Sequence, residues 1–173
     1  MDIPVRLFVK TQFNGTGNES ILLSIGLVAE NDDECYVELP ATGLHLVDAA
    51  PSLLSRVISQ FGRVPGASVP DRIEMSDRVI DFLRTFEGSL DVYYNRKADL
   101  MHLQTLVGPN RSVAQRIRAY DIDRDISTPA SKLAWFNKLQ ACASRRIGGD
   151  HALAEAVALK AAWFAEPRAA SES

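Results

Sequence analysis

VRLFVKTQF, residues 5–13, is the stretch on which the fold turns. Val5, Leu7, Val9, Thr11 and Phe13 alternate with Arg6, Phe8, Lys10 and Gln12, the period-two pattern of a β-strand. Lys10 and Gln12 therefore share one face. Outward from this strand, the turn residues of NGTGNES (14–20) lead into ILLSIGLVAE (21–30), a second and heavily buried strand. The Asn31-Asp32-Asp33 turn then leads into a third, ECYVELP (34–40). Three strands joined by short turns predict an antiparallel meander.

The period then changes. Leu53, Leu54, Val57, Ile58 and Phe61 recur at helical spacing before Gly62, and Val79, Phe82, Leu83 and Phe86 do so in a second helix for which Ser76 is a candidate cap. LDVYY (90–94) reads as a strand, and Leu100, Leu103, Leu106 and Val107 mark a helix behind it. A fifth strand is predicted at 117–122. Thr128-Pro129 opens a helix to about Cys142, and a last, Ala-rich helix runs over about 150–164. The expected class is α/β, with a central mixed five-stranded sheet (the meander plus parallel strands) flanked by helices. Residues 1–165 are read as a single domain and 166–173 as a disordered polar tail.

Composition narrows the function classes. The chain has 173 residues, 46% of them hydrophobic and 24% charged, an ordinary globular balance. Its longest apolar run, Ile21–Ala29, is interrupted by Ser24 and Gly26, too short and too broken for a membrane span. MDIPVRLFVK lacks a signal-peptide pattern, and Cys35 and Cys142 form neither a disulfide framework nor a CxxC knuckle, so a reducing cytoplasm is expected. A net charge of −3 excludes a strongly basic protein that coats nucleic acid, though not a local basic groove.

The order of elements resembles the ribonuclease H-like fold, and three local frames are similar to those of the DEDD superfamily of 3′-to-5′ exonucleases. LFVKTQFNG looks like that superfamily's first-strand frame, with Lys10 and Gln12 at its two acidic positions. YNRKADLMHL places Asn95 and Asp99 on the middle motif, and GGDHALAEAVALKAAW places Asp150 at the histidine position and Glu155 at the final aspartate position. The resemblance covers about residues 5–164 and points to the small bacterial exoribonuclease-like proteins of this group.

The resemblance implies a site at Lys10, Gln12, Asp99, Asp150 and Glu155, mostly substituted, with His151 a candidate displaced base one turn before Glu155. It also implies what the substitutions do. Two-metal nucleases gather carboxylate oxygens around hard divalent cations. A lysine at one of those positions removes an oxygen ligand and adds a repelling charge. At an effective dielectric near 20, like charges at about 4 Å cost on the order of 4 kcal/mol. The expectation is a catalytically impaired exoribonuclease-like protein, with the Lys10 ammonium standing in for a metal between Asp99 and Glu155. It would serve as a nucleic-acid-binding or interaction module and use no cofactor. The alternatives are an active enzyme holding one Mg²⁺ or Mn²⁺ on a reduced ligand set of Asp99, Glu155 and Gln12 with His151 or Asp150, and a structural homodimer built on the Trp-bearing C-terminal helices. Each residue also has a plainer reading: Lys10 a solvated edge lysine, Asp99 an acid complementing a helix dipole, Glu155 a surface carboxylate, His151 a surface or cap-proximal histidine.

The charge is unevenly spread. Residues 1–50 hold 2 basic and 8 acidic residues, against 17 and 14 over 51–173. Arg96, Lys97, Arg111, Arg116 and Arg118 face only Asp99 between 95 and 118, a candidate phosphate-binding patch for single-stranded RNA or DNA.

Overall fold

The structure, a computed structural model, describes residues 3–15, 20–41 and 51–166, without the side chains of 52–54. The side chains of Leu53 and Leu54, and the tail beyond Glu166, therefore lie outside what is described. Strands β1 (Val5–Asn14), β2 (Ile21–Ala29) and β3 (Glu34–Glu38) form the predicted meander. Helix α1 (Pro51–Arg56) and a 3-10 turn (Ile58–Gln60) precede α2 (Arg72–Arg84), β4 (Leu90–Tyr94), α3 (Lys97–Val107), α4 (Arg111–Ala114) and β5 (Ile117–Asp121). Helix α5 (Pro129–Cys142) and α6 (Ala152–Ala165) complete the chain. The sheet order is β3-β2-β1-β4-β5, with β1–β2 and β2–β3 antiparallel and β1–β4 and β4–β5 parallel. This is the mixed five-stranded sheet that the sequence predicts. No helix among the described residues is long and apolar enough to cross a membrane.

The two faces of the sheet follow the alternation read in β1. Leu7 and Val9 join Ile25, Leu27, Val37, Met75, Val79, Leu83, Leu103 and Leu106 in the larger core, beneath α2 and α3. Phe8, Lys10 and Gln12 face α6, whose Ala-rich sequence permits a close approach. A Cβ on Gly26 of β2 would stand 2.5 Å from the Leu153 nitrogen and 2.6 Å from the Ala152 carbonyl group, so only hydrogen fits between strand and helix. Gly26 is the cross-strand partner of Lys10. The glycine thus brings the first turn of α6, and Glu155 with it, over Lys10.

One expectation is corrected. Helix α2 begins at Arg72, not at Ser76, because Asp71 caps it by accepting the Ile73 and Glu74 N–H groups at 2.9 Å each. Ser76 lies inside the helix and donates to the Leu106 carbonyl. Trp163 packs on Tyr93 at 4.8 Å and Trp135 joins the same cluster, each half-buried, while Phe136 and Phe164 are the well-exposed aromatic residues of these two helices.

Candidate functional site

Strand β1 outruns its parallel neighbour. The β1–β4 ladder ends at the Phe8–Tyr93 pair, six residues before β1 does, so the backbone beyond it has no strand partner on that side. Helix α3 starts there and supplies side chains instead. The Thr11 N–H donates to Asp99 Oδ1 at 2.9 Å, and the Thr11 carbonyl accepts from Arg96 Nη2 at 2.6 Å. Asp99 and Arg96 thus continue the ladder with a carboxylate and a guanidinium, satisfying groups that burial would otherwise orphan.

Around this splice stand Lys10, Gln12, Asp99 and Glu155, four of the positions that the sequence frames pick out. Lys10 Nζ, almost wholly buried, donates to Asn95 Oδ1 at 2.9 Å and Asp99 Oδ2 at 3.1 Å, with Glu155 Oε2 3.6 Å away. Gln12 Nε2 donates to Glu155 Oε1 at 2.9 Å. Asp99, fully buried, takes five hydrogen bonds. Oδ1 accepts from the Thr11 N–H, the Thr11 hydroxyl (2.7 Å) and Arg96 Nη2 (2.9 Å), and Oδ2 accepts from Lys10 and Arg96 Nε (3.2 Å). Two cations and two carboxylates give a cluster of zero net charge, the arrangement in which a buried lysine is tolerated.

Electrostatics within the cluster follow from this packing. Burial pushes the Glu155 carboxyl above its ordinary value, against the opposing pull of Lys10 and Arg96. Burial also pulls the Arg96 guanidinium down, but its hydrogen bonds and charge contacts with Asp99 outweigh that and its pKa is raised. Arg96, which the sequence places in the candidate phosphate-binding patch, also holds Asp99. It does so from the N-cap position of α3, three residues before Asp99.

Asp150 and His151 do not join the cluster. Asp150 pairs with Arg56 at 3.1 Å on the exposed surface. His151 is buried, packs against the Tyr36 ring at 4.2 Å in a tilted arrangement and caps α6, its Nδ1 accepting the Leu153 N–H at 3.2 Å. Its lone pair is spent, the ring proton belongs on Nε2, and burial lowers its pKa to about 4. That excludes the displaced-base role. The same geometry makes the fold acid-sensitive. Because the folded pKa lies below the unfolded value near 6.5, the unfolded chain binds the extra proton, and His151's contribution is complete above about pH 6.5 and lost as pH falls toward 4. Thermal melts across that window should reveal a loss of about 3 kcal/mol at most, and His151→Asn, which keeps a capping side chain, should flatten the profile. An unchanged slope in that variant would assign the acid sensitivity elsewhere.

The five basic residues do not form one patch. Arg96 and Lys97 stand where α3 leaves the C-terminal end of β4, whereas Arg111 and Arg116 precede β5 at the opposite end of the parallel strands. Arg116 is consumed by the carbonyls of Gly88 (2.6 Å) and Phe86, and Arg118 by Asp91 at 2.6 Å. Beside Asn95, however, a cavity of about 460 Å³ opens between α5, α6 and the loop after β5, lined among others by Ile126, Lys132, Trp135 and Phe136.

A divalent metal does not fit the cluster. Such an ion needs free carboxylate oxygens, and a carboxylate offers about four acceptor positions. Asp99 accepts five hydrogen bonds, three of them from the cations Lys10 and Arg96, and Gln12 turns an N–H₂ donor toward Glu155. Among the described residues, no group of three or more His, Cys, Asp or Glu side chains could hold a metal ion.

No family model matches the chain, and no curated protein does. Among solved structures the fold is similar to that of S. pombe Pop2p in its Mg²⁺- and Mn²⁺-bound form, with a TM-score of 0.59 and 13% identity over 92% of this chain and 81% of that one. At that identity the likeness shows the fold, which is ribonuclease H-like.

Proposed function

We propose that this chain is an exonuclease-like protein that has exchanged a two-metal centre for a buried ion-pair cluster and works by binding single-stranded nucleic acid without cleaving it. The observation that carries this reading is the saturated carboxylate of Asp99, held by five donors, two of them on Arg96 and one on Lys10. With its oxygens engaged by protein donors, Asp99 leaves no place for a metal that would activate a water there, and His151 caps α6 instead of standing free as a base. What survives is the mouth of the site. Lys97 and the outer part of Arg96 are exposed beside the cluster, and the cavity at Asn95 offers Trp135 and Phe136 as ring surfaces with Lys132 as a cation. Ring surfaces for bases and cations for phosphates are the two elements of single-strand binding.

Labelled single-stranded RNA incubated with the protein and Mn²⁺ should stay full length while it binds in a salt-dependent manner. Lys97→Glu with Lys132→Glu should weaken that binding by about tenfold or more. Shortening of the RNA that Asp99→Ala abolishes would refute the loss of catalysis. Absence of association at low ionic strength would refute the binding role and leave a purely protein-directed one.

A further inference from the structure

The two edges of the sheet are treated differently. At β3 the edge is guarded: Ser68 bridges Glu38, with the Glu38 N–H donating to the Ala67 carbonyl and the Val69 N–H to the Glu38 carbonyl. At β5 no described strand pairs with the outer side, and four of the five residues, Arg118–Asp121, are exposed. The hydrogen bonds from the Leu90 N–H to the Arg116 carbonyl and from the Ile122 N–H to the Tyr94 carbonyl set the period. Even-numbered residues of β5 bond inward to β4, so the N–H and C=O groups of Ile117, Ala119 and Asp121 point out from the edge.

Natural sheets blunt such an edge with charge, usually a free lysine or arginine. The only basic side chain on β5 is Arg118, and Asp91 of the neighbouring strand neutralises it at 2.6 Å. Next to it, Tyr120 stacks on Tyr93 at 5.2 Å, and Tyr93 on Phe8 at 5.2 Å, an aromatic row that runs across three strands and ends at the open edge.

We propose that β5 pairs antiparallel with β5 of a second copy of this chain, about a two-fold axis through Ala119, joining the two sheets edge to edge. The strand is self-complementary in that register. Ala119 meets its own copy as a hydrogen-bonded pair, and Ile117 meets the second copy's residue 121 as another. Arg118 meets the second copy's residue 120 in the closer, non-hydrogen-bonded position, where a guanidinium lies beside a tyrosine ring. The small Ala119 side chain at the axis leaves room for the approach. Five residues make a short contact, so the dimer is a weak one whose population rises with protein concentration.

Sedimentation equilibrium of the full chain should show a concentration-dependent monomer–dimer equilibrium. Ala119→Pro removes only an outward-pointing donor, and Tyr120→Arg sets two arginines against each other. Each should weaken the dimer by about tenfold or more while circular dichroism stays that of the folded protein. In this register residue 119 pairs with itself at about 5.5 Å between Cα atoms, within disulfide range, so Ala119→Cys should cross-link under mild oxidation where the unaltered chain and Asp123→Cys do not. A chain that stays monomeric up to its solubility limit, a dimer insensitive to both edge variants, or a failure of Ala119→Cys to cross-link would each overturn the proposal.

Discussion

Asp99→Ala is expected to destabilise the protein by about 3–5 kcal/mol, the largest effect of any single substitution at the site. Truncation removes five hydrogen bonds at once and leaves the Lys10 ammonium, almost completely buried, with Asn95 and the more distant Glu155 as its remaining partners. It also orphans the Thr11 N–H and frees the Arg96 guanidinium that holds the Thr11 carbonyl, so the end of β1 loses its substitute ladder. For a domain of this length, the loss corresponds to a fall in Tm of about 10 °C or more. Asp99→Asn keeps an acceptor for Thr11 and should cost less. Asp150→Ala, which breaks only an exposed pair with Arg56, should cost under about 1 kcal/mol. Denaturant melts of the three variants supply the comparison, and an Asp99→Ala protein as stable as its parent would show that the cluster does not hold the fold together.

The second large effect is a gain. Replacing Lys10→Asp together with Gln12→Glu changes the cluster from neutral to a charge of −3, with four carboxylates and only Arg96 to balance them. Without metal, that crowding should lower stability by several kcal/mol, since each close like-charge contact costs on the order of 4 kcal/mol at an effective dielectric near 20. With Mn²⁺ in large excess over its dissociation constant, binding to the folded state alone restores about 4 kcal/mol at a thousandfold excess. The double variant should therefore melt low in EDTA and about 10 °C higher in Mn²⁺. A folded double variant whose melting ignores Mn²⁺ would mean that positions 10 and 12 do not face a cation site.

Much of this was legible in VRLFVKTQF. Its alternation set Lys10 and Gln12 on one face, and the frames at Asn95–Asp99 and Glu155 named what would meet them. What could not be read was how each residue is partnered. The role of Arg96 depends on β1 running past the end of β4, a matter of register between elements 85 residues apart in sequence. The sequence leaves His151 either a base, by its spacing to Glu155, or a cap-proximal histidine; its position directly before Ala152 makes it the helix cap, and its partner Tyr36 comes from β3, far off in sequence. The start of α2 was readable and misplaced: Asp71 with Glu74 three residues on is a capping signature that outranks Ser76. The basic patch failed because closeness in sequence between residues 96 and 118 spans a helix and returns to the far end of the sheet.

The most direct measurement is a calorimetric titration of the unaltered protein with Mn²⁺, run beside the Lys10→Asp/Gln12→Glu variant under the same conditions. With Asp99 saturated by protein donors, the unaltered chain should show no saturable Mn²⁺ binding that Asp99→Asn removes, while the variant should show it. Two ions bound by the unaltered chain in an Asp99-dependent manner would contradict the exchange of the metal centre for an ion-pair cluster.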